Sequence, residues 1–146
     1  MTALTRNNKL SGFTIVELLI VIVVIAILAA ISIVAYNGIQ GRGRDAARSS
    51  DVRALQTALE LYKADNGTYP QLSCVNCGAG AAGLSAFLVP TYLSKIPTDP
   101  DPAKWYSYVW GPVENSSYSI RVSYEAKPSC QQGVNMNAGW WGVPFC

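Results

Sequence analysis

The sequence contains no histidine. Histidine is the side chain that proteins most often use as a general base near neutral pH, and it is also the commonest metal ligand. An enzyme can do without it, but the more direct expectation is a protein whose function is not catalysis. We therefore predict that the chain is not an enzyme, and we assign it no catalytic residue.

Charged residues are also scarce, and the shortage is concentrated in one stretch. Only 14% of the residues are charged, against roughly 25% in a typical soluble domain. Between Phe13 and Ala35 the single ionisable residue is Glu17. A helix of about 23 residues is roughly 35 Å long, enough to cross the hydrocarbon core of a bilayer. We predict a membrane-spanning helix at 13–35.

Length and net charge limit what the rest of the chain can be. A chain of 146 residues is long enough for one ordinary domain but not for two, so we expect 67–146 to form one small globular domain. The formal net charge of +2 is accounted for by Arg6 and Lys9. Without them the charges balance, and we predict no specific nucleic-acid-binding surface.

The position of the apolar run bears on how the chain is processed. An ordinary secretory signal is cleaved after its apolar segment, near small residues. The small residues Ala29, Ala30 and Ser32 lie inside the run, which continues beyond them. The alternative is cleavage before the run, after the short polar segment MTALTRNNKLSG.

That junction carries a resemblance to a known family. The segment Lys9–Leu19, K-L-S-G-F-T-I-V-E-L-L, resembles the class III signal of type IV pilins and their relatives. The resemblance implies that a prepilin peptidase cleaves between Gly12 and Phe13. Residues 1–12 would then be a removed leader, and the new amino group of Phe13 would be N-methylated.

Glu17 needs a partner on physical grounds alone. A charged side chain at the middle of a bilayer helix costs about 2.5–3.5 kcal/mol, although a position one turn from the end costs less. Cleavage after Gly12 creates a cationic amine on Phe13. Glu17 could pair with this amine on its own chain or on a neighbouring subunit. In the family, the corresponding glutamate is thought to neutralise the amine of the adjacent subunit, which makes Glu17 a predicted assembly residue. The alternative is an interfacial carboxylate that reaches water.

One rule of membrane topology opposes the orientation that we predict for the chain. Arg6 and Lys9 precede the span, whereas Arg42, Arg44 and Arg48 follow it, so the positive-inside rule slightly favours an external N-terminus. We nevertheless predict a single-pass protein with its N-terminus in the cytoplasm, because the processing motif and the cysteines both require it. The globular part would then reach the periplasm or the cell surface.

The helix is predicted to continue beyond the membrane at 36–66. Apolar residues recur at spacings of three and four from Val52 to Tyr62, and Gly67 is a suitable terminator. The stretch from Gly38 to Gly43 contains three glycines, each costing about 1 kcal/mol in a helix. Many pilins carry a proline in the first helix, and this chain has none before Pro70. A hinge at 38–43 and an uninterrupted helix therefore both remain open.

Alternating residues predict an antiparallel sheet after this helix. Large apolar residues alternate with Ser107 and Val109 in Tyr106–Trp110, and apolar residues alternate with polar ones in Tyr118–Tyr124. A weaker, glycine-rich third strand is expected at about 134–141. The segments Asp51–Pro70 and Gly83–Pro100 also resemble pilins and the major pseudopilins of type II secretion. The predicted fold is α+β, the pilin fold, with a long N-terminal helix packed by its second half on a small sheet.

Four cysteines follow the predicted span: Cys74, Cys77, Cys130 and Cys146. Outside the cytoplasm, an even number of cysteines in a small domain indicates two disulfides, with three possible pairings. The resemblance to pilins, which often have a disulfide near the C-terminus, implies Cys130–Cys146 and hence Cys74–Cys77. A zinc site built from all four is the alternative, although the spacing is a weak match.

The resemblance to the major pseudopilins implies a possible calcium site at Asp99 and Asp101. Two carboxylates two residues apart are a minimal site for a hard cation, but each is followed by proline and no further ligand is evident. A plain turn is the simpler prediction, and calcium is the alternative. No other cofactor is predicted.

Four arginines, Arg42, Arg44, Arg48 and Arg53, lie just beyond the predicted span. They could contact lipid phosphates, or DNA on an assembled fibre. Because Asp45 and Asp51 lie among them, ion pairs on the helix surface are the default expectation.

We predict a structural subunit of a type IV pilus, a homo-oligomeric filament polymerised through the N-terminal helix. The implied partners are the prepilin peptidase, an assembly ATPase and its platform protein. One alternative is the major pseudopilin of a type II secretion system. Another is a tethered extracellular binding module. Trp140, Trp141, Tyr118 and Tyr124 could form an adhesive patch in it, although aromatic residues in strands more often belong to the core or the sheet surface.

Overall fold

The computed structural model describes residues 12–72, 78–111, 116–136 and 139–146. In chain order its elements are helix α1 (Ile15–Asn66), strand β1 (Ala79–Gly80), a 3-10 turn (Ala81–Leu84), helix α2 (Ser85–Leu88) and strands β2 (Ser107–Gly111), β3 (Ser117–Val122) and β4 (Cys130–Val134). The strands form one antiparallel sheet in the order β1-β2-β3-β4. A long N-terminal helix with a small antiparallel sheet confirms the predicted α+β pilin-like fold.

The chain divides into two compact units, Met1–Asn37 and Gly38–Cys146. In the first unit, the described part of α1 is composed almost entirely of apolar residues whose side chains are exposed. A helix satisfies its own backbone hydrogen bonds, so an apolar helix of this kind is suited to a medium without water. Within the described residues, α1 is the single helix that is long and apolar enough to cross a membrane.

Helix α1 runs without a break through Gly38, Gly41 and Gly43. Of the two alternatives for 38–43, the uninterrupted helix is therefore the one that the structure contains. The helix ends after Asn66, where Gly67 adopts a φ of 78° and donates its N–H to the carbonyl of Lys63 at 2.8 Å. This is the left-handed termination that glycine makes at low cost, and it was predicted from the sequence.

The core of the Gly38–Cys146 unit lies between α1 and the sheet. The predicted apolar stripe of α1 is buried, and its largest members are Val52, Leu55 and Leu59. The strands contribute alternate residues to the same cluster, because successive side chains of a strand point to opposite faces. These strand residues are Tyr108, Tyr118, Ile120 and Val122.

Two of the three predicted strands lie within two residues of their expected ends, but the position of the third was wrong. It was expected at about 134–141, and β4 instead spans Cys130–Val134. Gly133 lies opposite Ser119 in this pairing. A Cβ atom at Gly133 would be 2.0 Å from the carbonyl oxygen of Tyr118. The glycine that weakens the strand pattern is thus required by the close approach of β3 and β4.

The other face of the sheet is covered by the C-terminal segment 139–146. Gln131 is fully buried there, and its side chain accepts from the hydroxyl of Ser119 at 3.1 Å and donates to the carbonyl of Val143 at 3.1 Å. Its backbone N–H donates to Pro144, and its carbonyl accepts from Cys146, both at 3.0 Å. These bonds hold the last residues along the outer edge of β4, an edge that would otherwise be unpaired.

The tryptophans of this segment pack on the sheet. Trp140 is only 9% exposed, and the ring of Trp141 lies where a Cβ atom at Gly78 would be, 1.8 Å from the ring carbon Cη2. Tyr118 and Tyr124 are also buried. The burial of Trp140, Tyr118 and Tyr124 agrees with a core or sheet-surface role for these aromatics and argues against the alternative of an adhesive patch.

Candidate functional site

The predicted processing junction lies just before α1. Gly12, Phe13 and Thr14 have no regular secondary structure, and the helix begins at Ile15. Phe13 is 83% exposed, and nothing lies within 4 Å of where a Cβ atom at Gly12 would be. The peptide bond between Gly12 and Phe13 therefore lies outside the helix and next to an exposed side chain.

Glu17 closes a capping box at the start of α1. Its carboxylate oxygen Oε2 accepts from the backbone N–H and from the hydroxyl of Thr14, both at 2.8 Å, and its own N–H donates to the Thr14 hydroxyl at 3.2 Å. The spacing Thr-x-x-Glu is the sequence signature of this motif, which satisfies the free donors of the first helical turn. Sequence reasoning missed this second role of Glu17, although the signature was present.

The apolar part of α1 presents an uninterrupted lateral surface. From Ile15 to Ile33 the large hydrophobic side chains are between 47% and 84% exposed, and Glu17 is the only ionisable residue among them. A soluble monomer rarely exposes so much contiguous apolar surface, which instead indicates contact with lipid or with other protein. The residues are Ile15, Val16, Leu18, Leu19, Ile20, Val21, Ile22, Val23, Val24, Ile25, Ile27, Leu28, Ile31 and Ile33.

A buried arginine forms the polar centre of the second unit. The side chain of Arg48 has no exposed surface, and its Nε and Nη2 donate to the two oxygens of Asp99 at 2.9 and 2.8 Å. Nη1 donates to Asp45 at 2.8 Å, and Nη2 also lies 2.8 Å from Glu125. One guanidinium therefore meets carboxylates from α1, from the loop before β2 and from the segment after β3.

Neighbouring groups complete this Arg48 cluster. Arg44 forms a second pair with Glu125, and the ammonium of Lys104 lies 3.8 Å from both Asp101 and Glu125. Asp45 also accepts the backbone N–H groups of Glu125 and Ala126, at distances from 2.8 to 3.2 Å. These bonds satisfy acceptors that would be costly to bury alone.

The pKa shifts follow from these contacts. Hydrogen bonds to Asp99 hold the pKa of Arg48 above its usual value, although burial opposes the charged form. Burial alone would raise the pKa values of Asp45 and Asp99. For Asp45, hydrogen bonds from the backbone amides of Ala126 and Glu125, and then from Arg48, outweigh the effect of burial. For Asp99, hydrogen bonds from Arg48 do the same. The pKa values of both carboxyl groups are therefore lowered. Hydrogen bonds from Arg44 and then Arg48 lower the pKa of Glu125 to about 2.

The expectation of surface ion pairs was wrong for Arg48. The pairing with Asp45 is present, but it is buried and extends to residues far along the chain. The sequence did contain a signal that Arg48 would be buried. Arg48 precedes Val52, Leu55 and Leu59 at helical spacings of four and three. It therefore falls on the apolar stripe that faces the sheet.

The residues proposed for calcium do not fit the ion. Both oxygens of Asp99 are occupied by Arg48, and Oδ1 also accepts the N–H of Asp101 at 2.9 Å. Asp101 caps a turn by accepting the N–H of Ala103 at 3.0 Å. No group of three or more carboxylate, cysteine or histidine side chains that could hold a metal occurs in the described residues. Calcium takes six to eight oxygen ligands, so a plain turn describes this loop better.

A disulfide joins Cys130 to Cys146. It connects the start of β4 to the last residue of the chain and so holds the C-terminal segment against the edge of the sheet. Cys74 and Cys77 lie outside the described residues, as does the leader up to residue 11.

Two family models match the chain. The prokaryotic N-terminal methylation motif matches residues 7–33, and the model for type II secretion system protein G matches residues 36–127. Together they cover almost all of α1 and three of the four strands, β1 to β3.

Similar proteins are named type II secretion system core protein G. The one from Escherichia coli (strain K12) is 28% identical over 152 residues, covering 94% of each chain, and the one from Vibrio cholerae is 28% identical over 153 residues, covering 94% of this chain and 96% of the relative. The one from Aeromonas hydrophila is 31% identical over 100 residues, covering 65% of this chain and 70% of the relative. No solved structure matches the chain.

The family model for protein G covers more than half of the chain, and the alignment with the E. coli relative spans 94% of both chains. The matched residues include the long helix α1 and strands β1 to β3 of the sheet. The chain belongs to the type II secretion system protein G family, within the wider group of pilin-like proteins.

Proposed function

We propose that this chain is the major subunit of a type II secretion pseudopilus, a short filament that drives cargo proteins across the cell envelope. The observation that carries the proposal is the alignment with core protein G of E. coli, which spans 94% of both chains. Because the relatives are named for secretion, they favour this alternative over the type IV pilus that the N-terminal motif alone suggested. The role is structural, and no catalytic step is proposed.

The first step is removal of the leader by a prepilin peptidase. Support comes from the methylation motif at 7–33 and from the position of the Gly12–Phe13 bond, which lies before the helix and beside the exposed side chain of Phe13. Cleavage frees the amine of Phe13, which is the group that the motif marks for N-methylation. Because helix α1 begins only at Ile15, the peptidase does not have to unwind a helix to reach this bond.

Before assembly, the apolar part of α1 anchors the subunit in the membrane. Lipid covers its exposed side chains, and we propose that Gly38–Cys146 faces the periplasm. An assembly ATPase and its platform protein would then move the subunit into a filament. There, neighbouring helices replace lipid as the contacts of these side chains, so that no apolar surface has to meet water.

Glu17 gives the assembled helices their register. Both of its bonds to Thr14 end on Oε2, so the amine of a neighbouring Phe13 can approach the carboxylate without breaking the helix cap. A buried ion pair of this kind contributes little net stability, but it penalises any arrangement that leaves one charge unpaired. We propose that this penalty selects the axial position of each added subunit.

Replacement of Glu17 tests the proposal. The variants Glu17→Gln and Glu17→Ala would be expressed from the native locus, and cargo in the culture medium and fibres in sheared material would be measured. We expect both to fall at least about tenfold, the loss that corresponds to roughly 1.4 kcal/mol. The control is Glu60→Gln, on the same helix but in its amphipathic half, which should secrete normally.

Gene deletion and the Glu17 variants also distinguish the pseudopilus from the type IV pilus and from the tethered binding module. If deletion of the gene abolishes surface pili and leaves secretion intact, the pilus reading replaces the present one. If Glu17→Ala affects neither fibres nor surface display, the chain is better described as a tethered binding module. Mass spectrometry of the mature N-terminus checks the first step, since cleavage anywhere other than after Gly12 contradicts the processing model.

A further inference from the structure

A small cavity opens on the face of the sheet that is turned away from α1. Tyr108 and Ile120 point into the core, so Ser107 and Arg121, which lie opposite each other in the pairing of β2 and β3, point to the other face. The cavity has a volume of about 170 Å³. Its lining residues are Ala103, Lys104, Trp105, Ser107, Arg121 and Ser123.

Trp105 forms an apolar wall of this cavity and is left in solvent. It is 68% exposed, more than any other large hydrophobic side chain described between Gly38 and Cys146. Trp140, by contrast, packs on the sheet and is 9% exposed. A single exposed hydrophobic residue needs no explanation. A tryptophan beside an arginine is more informative, because these two residue types are enriched among the side chains that dominate binding at protein interfaces.

Arg121 is a cation that the described part of the chain does not neutralise. Its Nε is buried and has no hydrogen-bond partner within the described residues. The guanidinium carbon lies 5.9 Å from the centre of the Trp141 ring, a cation–π contact that holds the group without giving its N–H donors an acceptor. Because a buried donor without an acceptor costs free energy, an acceptor from another molecule would stabilise this site.

Lys104 adds a second positive charge to the cavity. Its ammonium lies 3.8 Å from both Asp101 and Glu125, which is longer than a direct hydrogen bond. Glu125 is already paired with two arginines. The cavity therefore favours an anion, and the planar fork of donors on Arg121 matches the two oxygens of a carboxylate.

The volume of the cavity limits the kind of ligand. Pockets that hold a whole small molecule usually measure about 300–1,000 Å³, so this cavity is too small for a nucleotide or an oligosaccharide. It has room for one side chain of a larger partner. The side chain that fits both walls carries a carboxylate, for Arg121, on an aliphatic stem that can lie against the indole of Trp105.

We propose that the cavity between Trp105 and Arg121 binds an acidic side chain, glutamate or aspartate, of a protein that is not part of the filament. In the proposed function the subunits associate through α1, and this cavity lies on the face of the sheet turned away from that helix. The choice of a partner outside the filament rests on the proposed function, whereas the binding of a carboxylate rests on the cavity alone.

The first test measures binding to the full-length processed chain in detergent micelles. The probe is the peptide acetyl-Leu-Glu-Leu-amide, and acetyl-Leu-Gln-Leu-amide is its neutral match. Binding is followed by NMR at the indole N–H of Trp105, which is assigned by comparison with Trp105→Phe. We expect a saturable shift with the acidic peptide and binding weaker by at least about tenfold with the neutral one, because a charged acceptor makes the stronger hydrogen bond.

The second test removes the cation. Arg121→Gln should abolish the difference between the two peptides, whereas Arg53→Gln, the control at an exposed arginine on α1, should bind as the unmodified chain does. If Arg121→Gln does not fold, Trp105→Ala replaces it, since an exposed side chain can be removed without opening the core; it should weaken binding of the acidic peptide, measured by calorimetry.

Three results in solution would overturn the proposal. The first is equal binding of the two peptides to the unmodified chain. The second is unchanged binding of the acidic peptide in both Arg121→Gln and Trp105→Ala. The third is binding of inorganic phosphate as tightly as the acidic peptide, which would describe a site for small anions and not for a protein side chain.

A test in cells separates this proposal from the proposed function. With Trp105→Ala, we expect normal fibres in sheared material and less cargo in the culture medium. Loss of the fibres would place the site between copies of this chain and would overturn the choice of partner, and unchanged secretion would overturn it as well. If the unmodified chain forms no fibres and deletion of its gene leaves secretion intact, the proposed function fails, while the peptide measurements still decide whether the cavity binds a carboxylate.

Discussion

The guanidinium of Arg48 donates hydrogen bonds to both carboxylate oxygens of Asp99, at 2.9 and 2.8 Å. The two residues are 51 positions apart in the sequence, and neither side chain is more than 1% exposed. This pair joins helix α1 to the loop before β2, and its energy depends on both partners. A buried pair of charges can be neutral overall, yet removing one partner is strongly destabilising. Most of the stability predictions for this unit follow from that asymmetry.

Replacing Asp99 should be far more damaging than replacing its neighbour Asp101. We expect Asp99→Ala to lower the free energy of unfolding by about 3 kcal/mol, since it leaves the Arg48 guanidinium partly unpaired in the interior. Asp101→Ala removes an ion pair at 3.8 Å between partly exposed groups and one turn cap, which together cost about 1 kcal/mol. Denaturant unfolding followed by tryptophan fluorescence measures both. Equal losses would contradict the central position given to Asp99.

Acid should destabilise the Gly38–Cys146 unit in a defined range of pH. The pKa values of Asp45 and Asp99 are lowered and that of Glu125 is about 2, whereas unfolded aspartate and glutamate titrate near about 3.9 and 4.3. A carboxyl group whose pKa is lower in the folded state stabilises fully above its unfolded pKa, and this stabilisation is lost as pH falls through the folded pKa.

The unfolding midpoint should therefore be level from neutral pH to about pH 5 and should fall between about pH 4.5 and about pH 2. The level region is expected because no histidine titrates there. The variant Asp99→Asn should start from a lower midpoint at neutral pH and decline less steeply in acid. A midpoint that rose on acidification would show that the carboxylates repel one another more than the cations hold them.

Breaking the disulfide should loosen the C-terminal segment. Cys130 and Cys146 are separated by 16 residues, and a loop of this size corresponds to about 3 kcal/mol in the chain-entropy description. Cys130→Ser, Cys146→Ser and the double variant should lose the same amount, because all three remove one bond. Serine variants are preferable to a reductant, which would also act on Cys74 and Cys77. Unequal losses would mean that one of the two sulfurs has a further role.

Adding one methyl group at Gly133 should disrupt the pairing of β3 and β4. In Gly133→Ala the new carbon would be 2.0 Å from the carbonyl oxygen of Tyr118, so the strands must separate, and we expect a loss of about 2 kcal/mol or more. Gly80→Ala is the control, since a Cβ atom at Gly80 has nothing within 4 Å and should change stability by less than about 0.5 kcal/mol. Comparable midpoints for the two variants would argue against the observed register.

Much of this protein was predictable because its signals are local. The apolar run with Glu17 alone among its charges, the helical spacing from Val52 to Leu59, and the glycine at 67 each depend on neighbours within a few residues. The alternating residues of β2 and β3 belong to the same class of signal. The leader junction was recognised because several such features coincide within about ten residues.

Tertiary structure decided what depends on residues distant in the chain. The sequence placed Arg48 among surface arginines, because nothing near it indicated that Asp99 and Glu125 would meet it in the interior. It placed the third strand too late, because the need for glycine opposite Ser119 exists only once β3 and β4 are paired. Local periodicity fixes which residues form a helix or a strand, whereas burial and charge pairing are set by which elements touch, and that follows only from the packed chain.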